Sequence, residues 1–158
     1  MYLLYKHILN LKGMILMTEF TFQTEINASP EKVWEIYSDV KKWFLWEDDL
    51  EQIALNGEFV TGTSGTMKLK GQPEMMFTLI SVIPNEEFWD KTEIEEAGLA
   101  LVFGHTLVKN NDKTIIKHIV RLEKQKGNIE AEEITFLSHV FEDTPQAILA
   151  LKKVVEAE

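Results

Sequence analysis

Apolar and polar positions alternate from Phe20 onward: Phe20, Phe22, Thr24 and Ile26 against Thr21, Gln23, Glu25 and Asn27. A period of two over this length predicts a half-buried strand. Asn27-Ala28-Ser29-Pro30-Glu31 ends it and opens a helix. Ser29 suits the N-cap, Pro30 suits the first helical position, and Glu31 and Glu35 favour the positive helix start. Val33, Trp34, Ile36 and Tyr37 then form a short apolar stripe. A second short helical or irregular piece, residues 40–49, carries Trp43, Phe44 and Trp46.

From Leu50 the pattern becomes a run of strands. Ile53 and Leu55 precede a turn at Asn56-Gly57, and residues 66–70 alternate with Met67 and Leu69 on one face. Gly71-Gln72-Pro73 breaks the chain, and residues 75–83 form the next strand before Pro84-Asn85. Residues 88–94, 99–109 and 114–123 follow as three longer strands with short links, which must pair antiparallel because a parallel crossover needs a dozen or more residues. After Gly127 the period changes. Ile129, Ile134, Leu137, Val140, Phe141, Ile148, Leu149, Leu151 and Val155 fit a long amphipathic helix, kinked at Pro145 with Asp143 or Thr144 capping the second half.

The predicted class is α+β: a curved antiparallel sheet of about seven strands, two short helices after the first strand, and a long kinked C-terminal helix. That helix is the one element long enough to cover the apolar face. A single helix does not fill the concavity of a curved sheet, so an apolar cavity is expected beneath it.

This order, with several local motifs, resembles the START-like superfamily, and within it the SRPBCC proteins of the polyketide cyclase/dehydrase-like group. The motifs are Ile26-Asn27-Ala28-Ser29-Pro30-Glu31-Lys32-Val33-Trp34, Asp39-Val40, Trp43 and Trp46, and Gly62-Thr63-Ser64-Gly65. Phe88-Trp89-Asp90-Lys91-Thr92, Phe103-Gly104-His105 and Lys117-His118-Ile119-Val120 complete them. The resemblance spans about residues 18–157. It implies a helix-grip fold with a hydrophobic pocket. It carries over no catalytic residue, since the group includes lipid and hormone binders as well as aromatase/cyclases.

Strand parity gives the sharpest site expectation. The hairpin after Ile94 places Thr92 opposite Leu101, Asp90 opposite Phe103 and Phe88 opposite His105, and the next hairpin places His105 opposite His118. This face is far more apolar than the one holding Trp89, Lys91, Glu93, Lys117 and Arg121, so it should line the cavity. Asp90, Thr92, His105 and His118 are its polar exceptions, and buried ionisable groups are costly unless paired. Three purposes stand: mutual satisfaction within the sheet, recognition of a polar group on an apolar ligand, or general acid–base catalysis by His105 or His118 with Asp90 orienting. With Trp43, Trp46, Met67, Phe88, Phe103 and Phe141, these four make the expected ligand-binding set. Trp43 and Trp46 fall where the mouth would be, with packing as the simpler role and gating as the other.

No metal site is read, because cross-strand neighbours seldom converge into a coordination sphere, and no cofactor is expected. Gly62-Thr63-Ser64-Gly65 lacks the lysine and helix of a phosphate loop. The acidic runs Glu47-Asp48-Asp49 and Glu130–Glu133 read as solvated faces.

The 158 residues suit one domain. A net charge of −10 disfavours nucleic acid and anionic membranes as partners. The absence of cysteine removes disulfides and thiolate chemistry and fits a reducing cytoplasm. Residues 1–16 contain no acid and two bases, Lys6 and Lys12. They are too short and too interrupted to span a bilayer and show no signal-peptide pattern. They read as an apolar lid, or as a non-native or flexible extension ahead of a true start at Met17, with 17–158 the single START-like ligand-binding domain. The expected function is binding of a small hydrophobic molecule of lipid, polyketide or aromatic type by a monomer or homodimer. A cyclase/dehydratase-like enzyme and a protein-interaction module are the alternatives.

Overall fold

The computed structural model describes residues 8–10 and 15–157. Among the described residues, eight strands form one antiparallel sheet: β1 (Ile8–Asn10), β2 (Ile15–Ile26), β3 (Leu50–Leu55), β4 (Ser64–Leu69), β5 (Met75–Ile83), β6 (Glu87–Ile94), β7 (Leu99–Asn110) and β8 (Lys113–Lys124). Their spatial order is β1-β2-β8-β7-β6-β5-β4-β3. The seven anticipated strands are present, with β1 added at the edge. The expectation of an extension over residues 1–16 falls mostly outside the described residues. Of that stretch, Ile8–Asn10 pairs with β2, and β2 itself begins at Ile15 rather than Phe20. The longer β2 follows from its partner: β8 runs on to Lys124, which pairs with Leu16.

Between β2 and β3 lie α1 (Pro30–Tyr37) and a 3-10 helix, Val40–Leu45. The Ser29 hydroxyl accepts the Lys32 N–H, and the Asp39 carboxylate accepts the Lys41 N–H, so each start is capped by the residue type that favours it. The C-terminal helix is two segments, α2 (Ala131–Phe141) and α3 (Thr144–Glu156), with Pro145 in the first turn of α3. Proline has no N–H to continue the α2 ladder, so the axis breaks at Glu142-Asp143. Among the described residues, no helix is long and apolar enough to cross a membrane.

The break divides the core. One apolar cluster, including Ile26, Val33, Tyr37, Trp43, Trp46, Phe88 and Ile148, sits under α1, the 3-10 helix and α3. A second, including Phe20, Leu101, Val120, Leu122 and Leu137, sits under α2.

The convex face carries Trp89, as parity predicts. Its ring lies on Gly104, where an added Cβ would come 2.4 Å from the ring, and the Arg121 guanidinium sits 5.0 Å above the indole. Gly104→Ala should therefore evict the indole and cost about 1–3 kcal/mol. Denaturant unfolding followed by tryptophan emission tests this, and an unchanged midpoint would contradict the close approach.

Candidate functional site

β6, β7 and β8 position the polar groups. Phe88 pairs with His105, Asp90 with Phe103 and Thr92 with Leu101, and His105 pairs with His118. Asp90, His105 and His118 are all buried, at 2%, 7% and 4% exposure. The two imidazoles meet edge to face with centroids 4.5 Å apart. Phe88 stacks on His105 at 3.9 Å and 10°, fixing that ring from behind. The Tyr37 hydroxyl lies 2.6 Å from His118 Nε2, so helix α1 holds the second imidazole.

Between the two core clusters lies a hollow of about 150 Å³. Its walls include Trp43, Trp46, Leu50, Met67, Phe103 and Val140, with Asp90, His105 and His118 among the lining. Val140, Asp143, Thr144 and Ala147 reach it from both sides of the helix break, so the kink stands over the hollow. An adjoining hollow of about 190 Å³ shares Trp46, Glu47, Asp49, Asp143 and Ala147 and adds Asp48, Lys70 and Gln146.

Of the ten residues expected to contact a ligand, seven line the cavity: Trp43, Trp46, Met67, Asp90, Phe103, His105 and His118. Phe88, Thr92 and Phe141 do not. Phe88 is sealed behind His105 and Trp43. Thr92 is buried opposite Leu101, in the second cluster. Phe141 turns onto Phe20, at a centroid distance of 5.6 Å, because it ends α2 just before the axis changes direction. Trp43 and Trp46 are 5% and 1% exposed, and the Trp43 Nε1–H donates to the Tyr37 carbonyl at 2.9 Å. Both stand as buried residues in the cavity lining.

The run Glu47-Asp48-Asp49 is corrected. Glu47 and Asp49 are half-buried and line the cavity, because the segment after the 3-10 helix turns inward at Trp46 before β3 begins. Tyr37 was also missed as a site residue. Its only sequence signal is a hydroxyl on an otherwise apolar helix stripe.

Burial dominates the electrostatics. It pushes Asp90 up to about 8. Half-buried Glu47 moves the same way, through desolvation first and then the neighbouring Asp49, Asp90, Asp143 and Asp48 carboxylates. Burial lowers His118 to about 3. It drives His105 well below the usual imidazole value, with His118 adding to the effect and the Phe88 backbone opposing it. Tyr37 is raised by burial and by Glu47. At neutral pH the imidazoles and the Tyr37 phenol are neutral and Asp90 is largely protonated. Asp90 Oδ1, His105 Nδ1 and Trp46 Nε1 have no protein hydrogen-bond partner. Among the described residues, no group of three or more His, Asp or Glu is arranged to hold a metal ion.

No family model matches the sequence, and no curated protein matches it. Solved structures do share the fold. Truncated norcoclaurine synthase from Thalictrum flavum superposes with a TM-score of 0.67 at 16% identity, over 89% of this chain and 94% of that one. Ara h 8.0201 gives 0.69 at 12%, over 90% and 99%. CalU16 from Micromonospora echinospora gives 0.67 at 13%, over 98% and 85%. The chain has the START-like (SRPBCC) helix-grip fold, and at these identities the likeness carries the fold alone.

Proposed function

We propose that this protein binds a small, largely apolar molecule, about one aromatic ring in size, in the cavity between the helix break and strands β6–β8. One observation carries the reading. Beside an apolar wall of Trp43, Leu50, Met67 and Phe103, three lining residues each carry a buried polar atom with no protein partner: Asp90 Oδ1, His105 Nδ1 and Trp46 Nε1. Each such atom costs about 1–3 kcal/mol in a fold, and a ligand carrying both a donor and an acceptor would satisfy them. The hydrogen bond between Tyr37 of α1 and His118 satisfies that pair but leaves these three out.

The volume narrows the ligand class. An apolar cavity of roughly 150 Å³ accommodates benzene, so a single ring fits where a lipid chain or folded polyketide does not. Catalysis by the histidines has less support, because an imidazole titrating near 3 is a weak base at neutral pH. The lack of cysteine supports a cytoplasmic setting.

Ethylbenzene should bind saturably and quench the emission of the wall tryptophans. Burying about 200 Å² of it would give a Kd of about 0.1–1 mM. Ala147→Phe, which fills the hollow from α3, should abolish binding while the chain still folds. Equal quenching in both proteins would sink the proposal.

A further inference from the structure

The polar groups around this cavity are of one sign. Asp90, Glu47, Asp49 and Asp143 line it, and Asp48 joins them in the adjoining hollow. Lys70, the only lysine or arginine in the described lining, belongs to the adjoining hollow, and its Nζ is already engaged with the Asp48 carbonyl at 2.9 Å. An acidic cluster alone can be no more than a solvated rim. Asp90 differs, because it is 2% exposed, lines the cavity and leaves Oδ1 without a protein partner. A carboxylate ligand would meet repulsion from every side, and a neutral hydrocarbon would leave Asp90 as it stands.

On the reading that the cavity is a ligand site, we propose that its ligand is a cation: an aryl-alkyl amine with its ring against Trp43, Trp46 and Phe103 and its ammonium held by Asp90 and Glu47. The chain's net charge of −10 would draw such a cation toward the mouth. The aromatic walls add attraction for the positive group.

Binding is coupled to a proton. The ionisable groups facing the ammonium are Asp90 from β6, Glu47, Asp48 and Asp49 from the segment before β3, and Asp143 from the helix break. His105 and His118 from the sheet, Tyr37 from α1 and Lys70 complete the set. Asp90 and Glu47 are held protonated at neutral pH, whereas the histidines are neutral throughout and Tyr37 keeps its proton. When the ammonium enters, a carboxyl gives its proton to solvent and stays as the carboxylate partner. Amine affinity therefore rises with pH toward 8.

The test is a titration of the full chain with benzylamine, ethylbenzene and phenylacetate, followed by tryptophan emission and by calorimetry in two buffers of different ionisation enthalpy. Benzylamine and ethylbenzene differ only in ammonium against methyl. Benzylamine should bind at least about tenfold tighter than ethylbenzene, as expected for one charge-assisted hydrogen bond, and phenylacetate weakest. Benzylamine affinity should rise by about fiftyfold from pH 6 to 8 with proton release, while that of ethylbenzene stays flat. Asp90→Asn should remove the preference and the proton release, with Glu47→Gln weakening the preference. If ethylbenzene or phenylacetate binds as tightly as benzylamine, the cation assignment is overturned and the cavity reading stands. If the preference survives both substitutions, it belongs to the surface field and the assignment is again overturned. If none of the three binds, the cavity reading falls and takes the assignment with it.

Discussion

Between pH 6.5 and 8 the unfolding free energy of this protein is expected to fall by about 2 kcal/mol, through Asp90. In an unfolded chain its carboxyl ionises at 3.8, and in the fold burial raises that to about 8. The folded state therefore keeps a proton that the unfolded state releases. Stability falls as pH climbs through that range, at about 1.4 kcal/mol per pH unit. The histidines work in the opposite direction over its lower part. His118 drops from 6.5 to about 3, and His105 also lies well below 6.5. There the unfolded chain takes up protons that the fold refuses, so stability rises with pH up to 6.5. The opposed slopes offset one another between about pH 4 and 6.5, and the carboxyl dominates above. Glu47, raised for the same reason, steepens the decline. Denaturant unfolding at pH 6, 7 and 8 checks the sign, and Asp90→Asn should flatten the profile. At pH 8 Asp90→Leu should exceed the wild type in stability by about 1–3 kcal/mol, because an uncompensated buried carboxyl is replaced by apolar contact. Greater wild-type stability at pH 8 than at pH 6 would refute the assignment of Asp90 as a buried, unpaired acid.

Phe88→Ala should be among the most damaging single changes, costing about 3–5 kcal/mol. Phe88 is fully buried and stands at the centre of the aromatic cluster. It stacks on His105 at 3.9 Å and on Trp43 at 5.5 Å, and it meets Tyr37 and Phe59 edge to face at 5.1 and 5.2 Å. Removing the ring deletes these contacts and leaves a void that the sheet backbone cannot close. It also frees His105 to turn away from the cavity, so ethylbenzene binding should weaken as well. Phe103→Ala provides the contrast. Phe103 already borders the hollow, so its loss enlarges an existing space and should cost less than half as much. Equal destabilisation by the two substitutions would mean that the cavity wall is as tightly packed as the cluster behind it.

The register of the central hairpins was legible from the sequence for a mechanical reason. Short links tie β6 to β7 and β7 to β8, and side chains alternate strictly along a strand. Once Ile94 is set opposite Leu99, the meeting of Phe88 with His105 and of His105 with His118 follows. The start of α1 was equally legible, because Ser29 and Pro30 act on the backbone beside them. These features depend on neighbours close in sequence or on a repeating period.

The rest of the site depends on elements far apart in the chain. Glu47-Asp48-Asp49 has the composition of a solvated run, and Glu47 and Asp49 are half-buried because the helix break, some hundred residues later, stands over the same hollow. Phe141 fits the inward stripe of an unbroken helix, yet the break at Glu142-Asp143 leaves it against Phe20 while Val140 reaches the cavity. The pairing of Tyr37 with His118, at a separation of 81 residues, belongs to the same class. By itself the sequence determined the succession of strands, the register of the central hairpins and which face is apolar, since those follow from local periodicity and short chain connections. Only the tertiary structure decided which residues on that face border empty space and which are sealed behind another ring. That depends on how the helix axis bends over the sheet, and alternation along a strand carries no information about it.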